Sequence, residues 1–216
     1  RMAVLNPVKL VIDNMEEGQV VSCDAVNNPE NPEAGTRKVV FGREMWVERD
    51  DFMKDPPKKF FRLSVGREVR LKYACLFTCT HIVEDEKGEV LEIHGTWDPA
   101  SLGGNAPDGH SVRGTIHWVD AATAVKLPVR LYDRLFCVEE PDGDSEHDFK
   151  EYLNPRSIVE TTAFCEPSLQ VFKPGEPVQF ERLGYFVADS KDSADGAPVF
   201  NRTSTLRDSW AKQQGK

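Results

Sequence analysis

FFRLSVGREVRLKYACLFTC, residues 60–79, alternates from Val69 to Thr80. Val69, Leu71, Tyr73, Cys75, Phe77 and Cys79 fall on one side; Arg70, Lys72, Ala74, Leu76, Thr78 and Thr80 fall on the other. Side chains alternate across a strand with period two, so the pattern predicts one continuous strand with a buried odd-numbered face. The even face opens with Glu68, Arg70 and Lys72, and Arg62 lies just upstream. Such a face is either plainly solvated or a rigid platform for an anionic partner.

The charge distribution bears on that choice. Formal net charge is −9, which by itself argues against nucleic acid. The charges are segregated, however. Between Arg37 and Lys72 there are eleven Lys or Arg against six acids, whereas Glu139–Glu151 holds seven acids and one Lys. The basic part contains the alternating stretch. The chain of 216 residues, with 12 Phe and 4 Trp, has room for one large domain or two smaller ones with real cores. Five cysteines (23, 75, 79, 137, 165) show no metal-ligand spacing, and Cys75 and Cys79 share the buried face, so they read as small core residues in a reducing, cytoplasmic setting. No apolar run approaches a membrane span. Arg1 directly before Met2 reads as a cut from a longer protein.

Along the chain, strand-like runs alternate with turn clusters. Val4–Asn14 is interrupted by Pro7, which marks an edge or a strand start. Glu16–Ser22 is short and turns at Gly18; Asn27–Gly35 is loop; Lys38–Val47 predicts a hairpin bending near Gly42. Thr80–Val83 and Val90–Trp97 flank Glu86–Glu89 as a strong hairpin. Pro99–His110 is a glycine-rich loop, Val112–Val119 and Val129–Val138 are strands, and Ala121–Lys126 allows a helical turn. Ile158–Ala163, Pro177–Phe180, Leu183–Ala188 and Val199–Leu206 complete the set. No long amphipathic helix occurs, so the fold class is all-β, a sandwich or a pair of barrels.

Catalytic chemistry is thin. There is no nucleophile elbow, phosphate-cradling loop or zinc spacing. His117 and Asp120 invite a hydrolase reading, but no Ser or Cys nucleophile is marked nearby, and His117 reads as a structural strand residue. Binding is better supported. Splayed single-stranded bases are read on aromatic or guanidinium planes, and Phe60–Phe61–Arg62, Arg70–Lys72–Tyr73 and Arg182 within QFERLGYF combine those ingredients.

Several segments together carry a resemblance. MAVLNPVKLVI, FFRLSVGREVRLKYA, GTIHWVDA, VRLYDRLF, VQFERLGYF and VFNRTSTLRDSWAK, in this order from Met2 to about Lys212, resemble the C-terminal anticodon-binding region of bacterial glutaminyl-tRNA synthetases. The resemblance implies two antiparallel β-barrels in the anticodon-binding fold shared with the 5S-rRNA-binding ribosomal proteins. The proximal barrel would take residues 1–20 and 128–216, the distal barrel 21–127. It also implies a parent enzyme that joins glutamine to its tRNA with ATP and Mg in an upstream catalytic domain. The His-Ile-Gly-His and Lys-Met-Ser-Lys-Ser signatures of that domain do not occur here, so this chain alone would have no catalytic residue and no cofactor. The implied partners are the tRNA for glutamine and the upstream domain of the same monomeric chain, with neither membrane nor DNA.

Carried over by motif, Arg62 would read the third anticodon base, Arg70 and Lys72 would serve the first, and Gln179 and Arg182 the middle one. Pro29 and Glu30 match a turn touching the anticodon loop, where Glu30 replaces an expected neutral amide. Phe61 stands where some members have Lys, so stacking would replace a phosphate contact. A further family arginine would fall immediately before Arg1. The archaeal and eukaryotic glutamyl-tRNA synthetases and a free-standing β-barrel RNA-binding protein are the alternative readings.

Overall fold

The computed structural model describes residues 1–143 and 146–206. The end of the last resembling segment, from Arg207 onward, lies outside them. Among the described residues every regular element is a strand or a short 3-10 turn, which is the all-β, barrel-like architecture expected. The strands are β1 (Ala3–Val4), β2 (Pro7–Ile12), β3 (Val21–Val26), β4 (Thr36–Phe41), β5 (Glu44–Glu48), β6 (Glu68–Leu71), β7 (Leu76–Glu84), β8 (Val90–Asp98), β9 (Thr115–Ile116), β10 (Trp118–Asp120), β11 (Val125–Tyr132), β12 (Ile158–Cys165), β13 (Pro177–Phe180), β14 (Gly184–Ala188) and β15 (Phe200–Thr205).

Residues 1–126 and 164–168 form one compact unit; the described residues of 127–163 and 169–206 form the other. In the first unit a seven-stranded sheet runs β10-β5-β2-β8-β7-β6-β9. Its two edges, β9 and β10, are separated in the chain by His117 alone. A sheet whose edges are joined by one residue has to curl back on itself, and this one is therefore nearly a closed barrel. Its interior holds Leu10, Met45, Val69, Phe77 and Ile116, with Phe41 edge-on to Trp97 at 5.4 Å and to Trp118 at 5.7 Å. Pro7 does start a strand. That strand lies between β5 and β8 and buries Val8, Leu10 and Ile12.

Two pairings differ from the sequence expectation. The alternating stretch is a hairpin, β6 and β7, not one strand. Leu71 N–H donates to Cys75 O at 2.8 Å, Ala74 N–H to Leu71 O at 2.9 Å, and Tyr73 takes a φ of 66°. Paired residues (Val69 with Phe77, Arg70 with Leu76) have the same parity, so alternation passes through the turn undisturbed and cannot reveal it. Ala74 and Leu76, expected on the open face, are buried at and just after the turn. Second, Thr36–Phe41 does not pair with Glu44–Glu48; it pairs with Val21–Val26, while β5 joins β2 and β10. The Thr80–Trp97 hairpin is present as β7 and β8.

In the second unit the order is β12, β11, β15, β14, β13, with β11 parallel to β15 and the remaining registered pairs antiparallel. Phe180 stacks on Phe186 at 4.0 Å and meets Phe200 edge-on at 5.2 Å. The strand expected over Val129–Val138 ends at Tyr132; beyond it only Phe136 bridges to Leu153. Phe164 and Cys165, which belong to the first unit, pair with β1.

Candidate nucleic-acid interface

Two of the cations singled out in the first unit, Arg70 and Lys72, lie on backbone that pairs with the segment Arg113–Ile116. Arg70 N–H donates to Gly114 O at 2.7 Å and Lys72 N–H to Ile116 O at 2.9 Å. Phe61 O sits so close to Gly114 that a Cβ there would fall 2.0 Å from it. Any residue but glycine would push the Phe61 backbone away. The Arg113 guanidinium carbon lies 5.1 Å from the Phe61 ring centroid, a cation–π pair over a ring that is 44% exposed.

Each cation is also fixed at its own end. The Arg62 guanidinium is 3.2 Å from Asp51 Oδ1 and donates to Asp50 O at 3.3 Å; the Asp51 side chain is 1% exposed, and Leu63 N–H holds the Asp51 backbone. A buried carboxylate thus aims an exposed guanidinium. Arg70 donates through Nε to Gly104 O. Gly104 has a φ of 88°, and a Cβ on it would stand 3.1 Å from Arg70 Cδ. Next to it His110 bridges Glu68 Oε2 at 2.6 Å and Asp108 Oδ1 at 2.5 Å, and these carboxylates hold its imidazole above the usual histidine range. The glycine-rich loop is therefore fastened to β6 rather than loose.

Lys72 reaches over the Tyr73 ring at 5.2 Å, and Arg37 approaches the same ring at 6.0 Å. Arg37 grips Glu166 with Nε–Oε1 2.6 Å and Nη2–Oε2 2.8 Å, and Met2 N–H donates to Glu166 Oε2 at 2.9 Å. Burial pushes the Glu166 carboxyl up, but Arg37, Ser168 and Met2 outweigh it and hold the carboxyl below its ordinary value. Arg1 joins this cluster and donates to Asn27 Oδ1 at 2.8 Å. Asn27 begins the exposed turn bearing Pro29 and Glu30, in which Asn28 Oδ1 accepts from Glu30 N–H at 3.0 Å.

In the second unit, Gln179 is exposed on β13, in register with the half-exposed Tyr185 of β14. Arg182 sits on the turn between those strands, where Leu183 N–H donates to Phe180 O at 3.0 Å. Its φ is 65°. Among the described residues only Tyr73 and Arg182 are non-glycine with positive φ. One follows Lys72 directly and the other is itself a candidate reader. A left-handed L-residue costs roughly 1–2 kcal/mol, and such strain collects at functional sites.

Sequence reasoning missed Asp51, Gly104 and Arg113, because what they do depends on partners 11 to 52 residues away that only the fold brings close. His117, set aside as structural, is buried, with Nε2 3.7 Å from Glu48 Oε1. Four cysteines are buried, and burial pushes the Cys75 and Cys165 thiols up to about 12 and Cys79 to about 11; Cys137 is exposed. No helix among the described residues is long and apolar enough to cross a membrane.

Anchored guanidinium and ammonium groups beside exposed aromatic rings on rigid β-structure define a nucleic-acid-binding class of module. The comparisons give the family. Residues 1–98 and 115–189 match the two "tRNA synthetases class I (E and Q), anti-codon binding domain" profiles, and the chain belongs to that family. It is 51% identical over its whole length to a glutamine–tRNA ligase of Bradyrhizobium diazoefficiens, covering 38% of that protein. It is 54% identical to the Nitrobacter winogradskyi ligase over 98% of the chain and 37% of the relative, and 48% identical to that of Nitrosomonas europaea over 98% and 38%. The chain thus spans well under half the length of these relatives.

Proposed function

We propose that this chain is the anticodon-reading part of a cytoplasmic, monomeric enzyme that ligates glutamine to its tRNA, with ATP and Mg used in the remaining, catalytic part. Arg62 serves the third anticodon base, Arg70 and Lys72 the first, Gln179 and Arg182 the middle one, and Pro29 and Glu30 touch the loop. Phe61 supplies a stacking face. We also propose that the two units correspond to the family's distal and proximal barrels. The observation that carries the reading is that Arg62, Arg70 and Lys72 are each held by a neighbour (Asp51, the Gly104 carbonyl and the Tyr73 ring), in a chain of this family. A bidentate arginine–base contact discriminates by about 1–3 kcal/mol, so a few such sites suffice to reject non-cognate tRNAs. The ligase name belongs to the relatives, and the glutamine specificity follows theirs.

The test is filter binding of the 216-residue chain to tRNA bearing a glutamine anticodon, titrated in salt. Phosphate contacts predict a linear fall of log K with log salt. Exchange of the middle base should weaken binding by about 5- to 150-fold. Affinity indifferent to both salt and anticodon would overturn the proposal.

A further inference from the structure

We propose that Asp13, His81 and His94 form a binding site for a borderline divalent cation of the zinc class. They lie on three adjacent strands in the order β2, β8, β7. Asp13 extends β2, its N–H donating to Gly95 O at 2.7 Å. His94 lies on β8, and His81 stands opposite it on β7. That pairing depends on a bulge. The ladder matches Cys79 with Gly95, then skips Thr80, so that His81 instead of Thr80 faces His94. Bulges of this kind re-aim a side chain.

The donor atoms converge. His94 Nδ1 is 2.9 Å from Asp13 Oδ1, His81 Nδ1 is 4.0 Å from Asp13 Oδ2, and one ligand atom from each of the three lies within 4.8 Å of the others. The two imidazoles stack at 4.6 Å. A second layer is already present: His94 Nε2 is 3.1 Å from Glu92 Oε2, and Lys9 Nζ lies 3.5 Å from Glu92 Oε1. Both ring nitrogens of His94 face carboxylates, so a cation would take the place of the Nδ1 proton shared with Asp13 while Nε2–H stays on Glu92, the arrangement that supports metal-bound histidines. Two imidazoles and one carboxylate suit Zn²⁺, Co²⁺, Ni²⁺ or Cu²⁺, whereas Mg²⁺ and Ca²⁺ take oxygen ligands. A cation here would staple β2, β8 and β7 together. Nothing in the proposal rests on tRNA binding.

The experiment is calorimetric titration of the chelator-treated chain with ZnCl₂ and, separately, MgCl₂, with Co²⁺ absorption reporting nitrogen ligation. One zinc per chain is expected, no magnesium heat, and a rise in the urea midpoint with zinc. His81→Ala, His94→Ala and Asp13→Asn should each weaken binding at least about tenfold, and Glu92→Gln about tenfold through the second layer. His81 is 58% exposed, so His81→Ala keeps the fold, checked by an unchanged urea midpoint without metal. Zinc binding of equal strength in His81→Ala and His94→Ala would mean an adventitious ion only, and the absence of zinc heat would equally overturn the proposal.

Discussion

Replacing Arg182 separates backbone strain from base reading. Arg182 holds a φ of 65° at the third position of the turn between β13 and β14. An L-residue there costs roughly 1–2 kcal/mol, while glycine is unstrained but loses about 0.4–1 kcal/mol more chain entropy on folding. Arg182→Gly and Arg182→Ala delete the same guanidinium, so contacts of the side chain cancel between them. Arg182→Gly should therefore be more stable than Arg182→Ala by about 0.5–1 kcal/mol, read as a higher urea midpoint at equal slope. Both should lose tRNA affinity alike, by about 1–3 kcal/mol or 5- to 150-fold in filter binding. In the ligase proposed above as the parent, this becomes a raised KM and a lowered kcat with tRNA. If the glycine variant is the less stable of the pair, the strain argument is wrong; if both bind tRNA normally, Arg182 is not a reader.

Further outcomes follow from the first unit. Gly104→Ala places a methyl 3.1 Å from Arg70 Cδ at a φ of 88°, so tRNA affinity should drop several-fold. The loss should appear chiefly in discrimination at the first anticodon base, measured with base-substituted tRNAs. Glu166→Ala leaves the Arg37 guanidinium without its buried partner and should cost of order 3 kcal/mol in urea unfolding. The Glu166 carboxyl is held below its ordinary value in the folded state. Its contribution is therefore complete above the unfolded pKa of about 4.3 and is lost as pH falls through the lower folded value. Acid titration of the wild type should show that loss and Glu166→Gln should lack it. With the thiols of Cys75, Cys79 and Cys165 raised by burial and Cys23 also buried, a thiol reagent should modify Cys137 alone in the native chain.

The strand class, the Thr80–Trp97 hairpin and the cationic residues worth watching were legible in the residues alone. All three rest on local quantities: period-two burial, turn chemistry and side-chain type. The sequence could not show that residues 60–79 hold a turn at Tyr73, because same-parity pairing leaves the alternation intact on both arms. It could not show that Thr36–Phe41 pairs backward with Val21–Val26, since either neighbour offers a matching apolar face. How the cations are held follows from the fold. Asp51 aims Arg62, the Gly104 carbonyl fixes Arg70, and Arg113 caps Phe61, each through a contact between residues far apart in the chain. Curling the seven-stranded sheet until β9 and β10 are one residue apart is what brings the Arg113–Ile116 segment alongside β6, and with it the partners that orient these charges.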